Sequence, residues 1–208
     1  MKKHILTIIG CTMLISFASI SHSAEGLYVS GNIGAAMPVD SDSTAPGVLL
    51  TIESDTGIAL GVALGYDFGN NFRTELEYAY QQNDLSTTTL NGVITAPVTS
   101  GDTTSHAGLL NGYYDFNNNS VFTPFISGGV GFATIDISNI VTGGVTTAAA
   151  VSDTVFAYQV GAGVSLAVSD ALSIDLTYRY FATADAKSGT TTAEYSSNNI
   201  YLGARVGF

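Results

Sequence analysis

Cysteine, proline and positive charge are all scarce in this chain of 208 residues. It has one cysteine, four prolines and no tryptophan. Cys11 lies in an apolar N-terminal stretch, so beyond it no disulfide or thiolate metal site can form. Only 11% of residues are charged, with six Lys and Arg against 17 Asp and Glu, a net charge of −11. Two of the six cations are Lys2 and Lys3, which leaves Arg73, Arg179, Lys187 and Arg205 for the rest of the chain. No basic patch remains for nucleic acid, and none is expected as a partner. After the N-terminus there is no run of ~18 or more consecutive apolar residues, which excludes a membrane-spanning helix. Mean hydropathy is nevertheless positive. A chain that is greasy without being continuously greasy suggests alternation.

Alternation is there, most plainly at the C-terminus. Leu202, Ala204, Val206 and Phe208 fall on one parity, and Tyr201, Gly203, Arg205 and Gly207 on the other. Side chains of a strand switch faces at every residue, so this strand has an apolar face and a polar one. The same reading divides residues 25–208 into eight strands, at about 27–37, 57–68, 72–82, 105–116, 121–135, 155–167, 172–181 and 195–208. In the second, Ile58, Leu60, Val62, Leu64, Tyr66 and Phe68 alternate with Gly57, Ala59, Gly61, Ala63, Gly65 and Asp67. In the third, Phe72, Leu76, Tyr78 and Tyr80 oppose Arg73, Glu75, Glu77 and Gln81. The connections alternate too. Tight turns sit at 69–71, 117–120 and 168–171, and long polar segments at about 38–56, 83–104, 136–154 and 182–194. Short turns at one end, long loops at the other and an even number of strands predict an all-β fold: an eight-stranded antiparallel up-and-down transmembrane β-barrel. A soluble β-sandwich also alternates, but it does not combine aliphatic mid-strand positions with aromatic ends and strictly alternating loop lengths.

The N-terminus reads as an export signal. Lys2 and Lys3 precede an apolar stretch from Ile5 to Ile20, and Ser21-His22-Ser23-Ala24 offers small residues for cleavage after Ser23 or Ala24. Residues 1–24 are expected to be a cleaved signal peptide and 25–208 the barrel domain. Ile8-Ile9-Gly10-Cys11 is similar to a lipoprotein box, although the apolar stretch runs well past it.

Several blocks resemble a known family. Phe72-Arg73-Thr74-Glu75-Leu76-Glu77-Tyr78, Thr123 through Gly131 and Tyr178-Arg179-Tyr180-Phe181 look like recurring segments of the OmpA-like, eight-stranded outer-membrane β-barrel family, and Tyr28-Val29-Ser30-Gly31 is similar to its surface-antigen branch. The resemblance implies the outer membrane of a Gram-negative bacterium, with both termini periplasmic. It also makes Tyr201, Gly203, Val206 and Phe208 resemble the C-terminal signal read by the barrel assembly machinery. No peptidoglycan-binding domain follows Phe208, so a wall-anchoring role is not expected. A monomer in outer-membrane lipid is expected, presenting its loops to a host or matrix ligand.

The chemistry-bearing residues fall into three groups. Arg73, Arg179 and Arg205 all lie on the inward parity, with Asp67, Glu75, Glu77, Asp115 and Asp175 as partners. A cation facing lipid at mid-membrane costs about 2–4 kcal/mol, and a buried charge needs a counter-charge. An eight-stranded barrel is just wide enough for side chains to fill it. The cluster therefore reads as a structural plug, with a gated pore of low conductance as the alternative. A symmetric hairpin register across 69–71 sets Asp67 opposite Arg73, and aligning the lower ends of the third and fourth strands at Phe72 and Phe116 sets Asp115 on its other side. Second, the long segments carry Asp40, Asp42, Glu53, Asp55, Asp84, Asp102, Asp136, Asp153, Asp185 and Glu194 against Lys187 alone, an acidic rim suited to a basic partner or divalent cations. Third, His106 is the one histidine past the signal sequence, beside Ser105. Adjacent strand residues point to opposite faces, so the pair does not make a nucleophilic site and a lipid-active enzyme is disfavoured. No catalytic residue, metal or cofactor is assigned. The function expected is a surface-exposed adhesin or antigen acting through its acidic loops.

Overall fold

The computed structural model describes residues 25–39, 41–45, 48–90, 94–142, 145–148, 150–184, 186–188, 191–193 and 195–208. The expected signal peptide, Cys11, Asp40, Asp185 and Glu194 lie outside the described residues. The strands are β1 (Glu25–Pro38), β2 (Ser41–Ala45), β3 (Val48–Ser54), β4 (Gly57–Phe68), β5 (Phe72–Leu90), β6 (Ile94–Ser100), β7 (Asp102–Asp115), β8 (Phe122–Ile137), β9 (Ile140–Thr142), β10 (Val145–Ala148), β11 (Val151–Ala167), β12 (Leu172–Thr183), β13 (Ala186–Ser188), β14 (Thr191–Ala193) and β15 (Ser196–Gly207). None of the described residues is helical.

Eight of these strands close a barrel. They pair antiparallel in the order β1, β4, β5, β7, β8, β11, β12, β15, and β15 returns to β1. Closure leaves no free edge in the wall. Register brings like faces together: Ile33 pairs with Leu60 on one side and Leu202 on the other. The parity predicted from sequence is what the wall shows. Val62, Leu76, Phe132 and Leu202 stand exposed on the outside, while Tyr28, Glu77, Gln159 and Tyr201 are buried within. Aromatic pairs such as Phe72–Tyr114 and Tyr114–Phe116 gather on the outer surface at the short-turn end, with ring centroids 5.1 Å apart in each.

The tight turns are built from local hydrogen bonds. Between β4 and β5, Gly69 and Asn71 both adopt left-handed backbone, with φ of 69° and 74°. Glycine takes that conformation without strain and asparagine tolerates it. Asp67 Oδ1 accepts the Gly69 N–H at 2.9 Å, an Asx-type closure. Asn118 does the same for Ser120 at 2.7 Å between β7 and β8.

The opposite end departs from the sequence reading. The segments expected as loops carry strands, and they pair with one another in the order β13, β14, β2, β3, β5, β6, β9, β10. Residues β5 shares with the wall run straight on into this ladder, where it pairs with β3 and β6 up to Leu90. The physical reason is composition. Stretches such as Thr87-Thr88-Thr89 and Val145-Thr146-Thr147 are polar enough to suggest loops, yet β-branched residues favour strands. A hairpin already in register also extends more readily than a new one starts.

The last strand ends at the seam. Gly207 N donates to Ala171 O at 2.9 Å and Phe208 N to Leu27 O at 3.0 Å, while the Phe208 ring stays exposed. The exposed ring adds no packing to the lumen, so removing it tests the assembly role expected of it apart from the stability of the plug. We expect removal of Phe208 to lower the amount of protein in the outer membrane while export across the inner membrane is unaffected. Immunoblots of fractionated envelopes would check this, and unchanged outer-membrane levels would contradict it.

Candidate functional site

The inward faces of the eight wall strands build a plug of three arginines, each seated by its own strand register. Nearest the short turns, Arg205 on β15 reaches Asp175 on the neighbouring β12, Nε to Oδ2 at 3.6 Å, and donates through Nη2 to Ser165 Oγ at 3.0 Å. Arg73 on β5 forms a two-pronged pair with Asp115 on β7, Nε to Oδ2 at 2.6 Å and Nη2 to Oδ1 at 2.9 Å. Its Nη1 lies 4.0 Å from Glu75 Oε1 and donates to Tyr28 Oη at 3.4 Å. The guanidinium sits 4.5 Å from the Tyr113 ring centroid and 5.4 Å from that of Phe125, an aromatic cage that favours a cation.

Arg179 makes the longest reach. Its Nη1 donates to Glu77 Oε1 at 2.7 Å. Its strand β12 and that of Glu77, β5, lie four places apart in a ring of eight, so the pair spans the lumen from wall to opposite wall. Glu77 Oε2 also accepts from Asn111 Nδ2 at 2.6 Å and Gln159 Nε2 at 3.0 Å. Glu75 accepts Tyr113 Oη at 2.7 Å. Four strands thus meet at one carboxylate. Toward the long hairpins the network becomes neutral: Gln81 Oε1 accepts from Ser197 Oγ at 2.8 Å and Tyr195 Oη at 3.1 Å.

Small residues make the room. A side chain at Gly65 would collide with the Tyr28 ring, and one at Gly163 with the Phe125 ring. Gly65 on β4 and Gly163 on β11 are therefore the seats of Tyr28 on β1 and Phe125 on β8.

One candidate residue lands elsewhere. Asp67 is the Cα partner of Arg73 across the turn, but its carboxylate accepts from Gly69 instead. Arg73 leans toward β7, and Glu75 takes the second acidic position. The β5–β7 register also differs from the expected alignment of Phe72 with Phe116, pairing Phe72 with Tyr114 and Arg73 with Tyr113. Of the C-terminal residues, Tyr201 packs in the lumen with its ring centroid 5.0 Å from the Arg179 guanidinium. Gly203 leaves space for Asn32, and Val206 pairs with Val29 and Leu172. The sequence reading missed Phe125 and Gln159. Both share the inward parity of their strands, but Phe125 sits beside Pro124 and Gly residues where an aromatic signals lipid as readily as lumen.

Outside the lumen, Tyr78 Oη and His106 Nδ1 are 2.7 Å apart on the membrane-facing surface, while Ser105 is buried facing inward. The two do not share a face. At the rim, Asp84 and Asp102 are direct cross-strand partners, and the Thr87 hydroxyl donates to Glu53 Oε2. Among the described residues no group of three or more His, Cys, Asp or Glu is placed to hold a metal ion.

A closed ring of eight antiparallel strands, apolar outside and charged within, with short turns at one end and long hairpins at the other, is a transmembrane barrel of the outer-membrane kind. The chain belongs to the outer membrane protein beta-barrel domain family, whose family model matches residues 7–208. It is 28% identical over 188 residues to outer membrane protein PagN of Salmonella typhimurium, covering 81% of this chain and 79% of that one. It is 27% identical over 218 residues to a Rickettsia canadensis protein named as a candidate adhesin, covering 99% and 91%. The solved structure of Neisserial surface protein A superposes with a TM-score of 0.58 at 20% identity, covering 91% of this chain and all of that one. The protein resides in the outer membrane of a Gram-negative bacterium, turns toward the periplasm and hairpins outward.

The geometry ranks the luminal carboxylates. Removing one partner of a buried ion pair leaves a stranded charge, at a cost of about 3–5 kcal/mol. We expect Arg73→Ala and Asp115→Asn each to destabilise the folded barrel by about that amount, and Asp67→Asn by about 1 kcal/mol or less. The chain has no tryptophan, so urea unfolding is best followed by circular dichroism or by gel mobility of folded and unfolded forms. Equal losses for Asp67→Asn and Asp115→Asn would contradict the ranking.

Proposed function

We propose that the protein is a surface adhesin whose paired hairpins contact a host-cell or matrix component while the plugged barrel serves as their foundation. The observation that carries this reading is the division of labour between the two ends. The lumen holds a network in which each arginine has a carboxylate partner, and the outer segments are drawn out into a ladder much longer than a loop connection needs. Such long segments are usually functional. The names of the Rickettsia relatives point the same way. Acidity gives the reading a direction: with Asp42, Glu53, Asp55, Asp84, Asp102, Asp136 and Asp153 in the outer segments against Lys187, the surface attracts cationic partners and repels polyanions.

The test is hairpin exchange. Replacing residues 86–99 and 139–150 with short Asn-Gly turns should leave the barrel in the outer membrane and abolish the adhesion that the parent chain confers on a non-adherent bacterium. Full adhesion without these hairpins would sink the proposal.

The same plug opposes the pore alternative. A hydrated channel needs a wider barrel, and here an ion pair crosses the lumen. Folded protein in planar bilayers should pass no large steady current. Large, stable channels would restore the pore reading.

A further inference from the structure

The outer ladder ends in an edge. Among the described strands β10 pairs with β9 alone, so one side of Val145–Ala148 carries backbone donors and acceptors that no described strand meets. Native sheets usually blunt such edges with charge or proline. Val145-Thr146-Thr147-Ala148 has neither. The register pairs Thr146 with Val141 and Ala148 with Ile140, skipping Thr147. The chain then continues to Ala150 and Ser152, which line a cavity of about 320 Å³ at the foot of the hairpin. Asp102 and Asp136 face that cavity together with Ile137 and Thr104.

We propose that the edge of β10 that no described strand covers, with the acidic cavity at the foot of its hairpin, docks an extended lysine- or arginine-rich polypeptide segment, which adds to the ladder as a further strand. This rests on the adhesin reading and names the partner's chemistry. Strand addition supplies affinity through main-chain hydrogen bonds and specificity through pockets for alternate side chains. The cavity suits a long basic side chain: its aliphatic stem lies along Ala150 and Thr104, and its charge meets Asp102 and Asp136. Charge complementarity selects this occupant over the others an open edge attracts. A second copy of a chain with a net charge of −11 brings its own acidic rim to the contact, and a sulfated glycan is repelled by the same carboxylates.

The experiment uses the full barrel folded in lipid nanodiscs, with folding confirmed by heat-dependent gel mobility. The probe is a fluorescein-labelled peptide alternating lysine and threonine; a glutamate–threonine peptide and heparin are the comparisons. The lysine peptide should bind, more weakly as salt rises, and the other two should not. Thr147→Pro removes the N–H at the position the β9 register skips and should weaken lysine-peptide binding about tenfold or more, whereas Thr147→Ala, which keeps the N–H, should bind like the parent. Asp102→Asn with Asp136→Asn should also weaken it about tenfold and flatten the salt dependence. The proposal is overturned if the lysine peptide does not bind, if the glutamate peptide or heparin binds as well, or if Thr147→Pro changes nothing. Self-association lost on Thr147→Pro would assign the edge to a second copy and equally overturn it. Peptide binding absent while hairpin-dependent adhesion persists refutes this site and leaves the adhesin reading standing.

Discussion

A charge inside a barrel only eight strands wide has to find its partner there. The lumen is narrow, lipid lies beyond the wall, and an unpaired ion in such surroundings is too costly to persist. That constraint organises the protein. It places every barrel arginine on the inward parity and obliges each to meet a carboxylate. Through Arg179 and Glu77 it also ties opposite walls of the cylinder to one another. The small residues of β4 and β11 follow from the same demand, because the aromatics that cage Arg73 need somewhere to lie.

The membrane makes parity readable, and parity made the wall legible. A one-residue slip would turn Arg73, Glu75 and Glu77 toward hydrocarbon, so the strand containing them tolerates only registers that keep its parity. The inward placement of Asp115 could be read in this way from its neighbours Tyr114 and Phe116. The behaviour of Asp67 could not. Its carboxylate turns on a competition between a guanidinium across the hairpin and the N–H of a glycine two residues ahead, and the turn geometry decides it. The offset of β7 against β5 was likewise hidden, because alternation says which face a residue takes and nothing about its height.

The outer ladder was illegible for a different reason. Beyond the membrane no lipid enforces an apolar face, so the strands there lose their alternating signature while keeping their propensity. Threonine carries both messages at once, polar to a reader of loops and β-branched to the backbone. The hairpins are consequently an ordered extension of the barrel's hydrogen bonding, and their acidity is displayed on a scaffold rather than on free chain.

One strand joins the two regimes. β5 runs unbroken from Phe72 beside the periplasmic turn to Leu90 in the outer ladder, bonded to β4 and β7 in the wall and to β3 and β6 above it. A surface protein held by a partner is pulled, and pulling along β5 loads its wall hydrogen bonds side by side, in shear, rather than peeling them one at a time. Under the adhesin reading proposed above, the strand acts as a tie-rod. Tension arriving at the hairpins spreads along the barrel's height, where the lateral bonds and the Glu77 cross-brace share it.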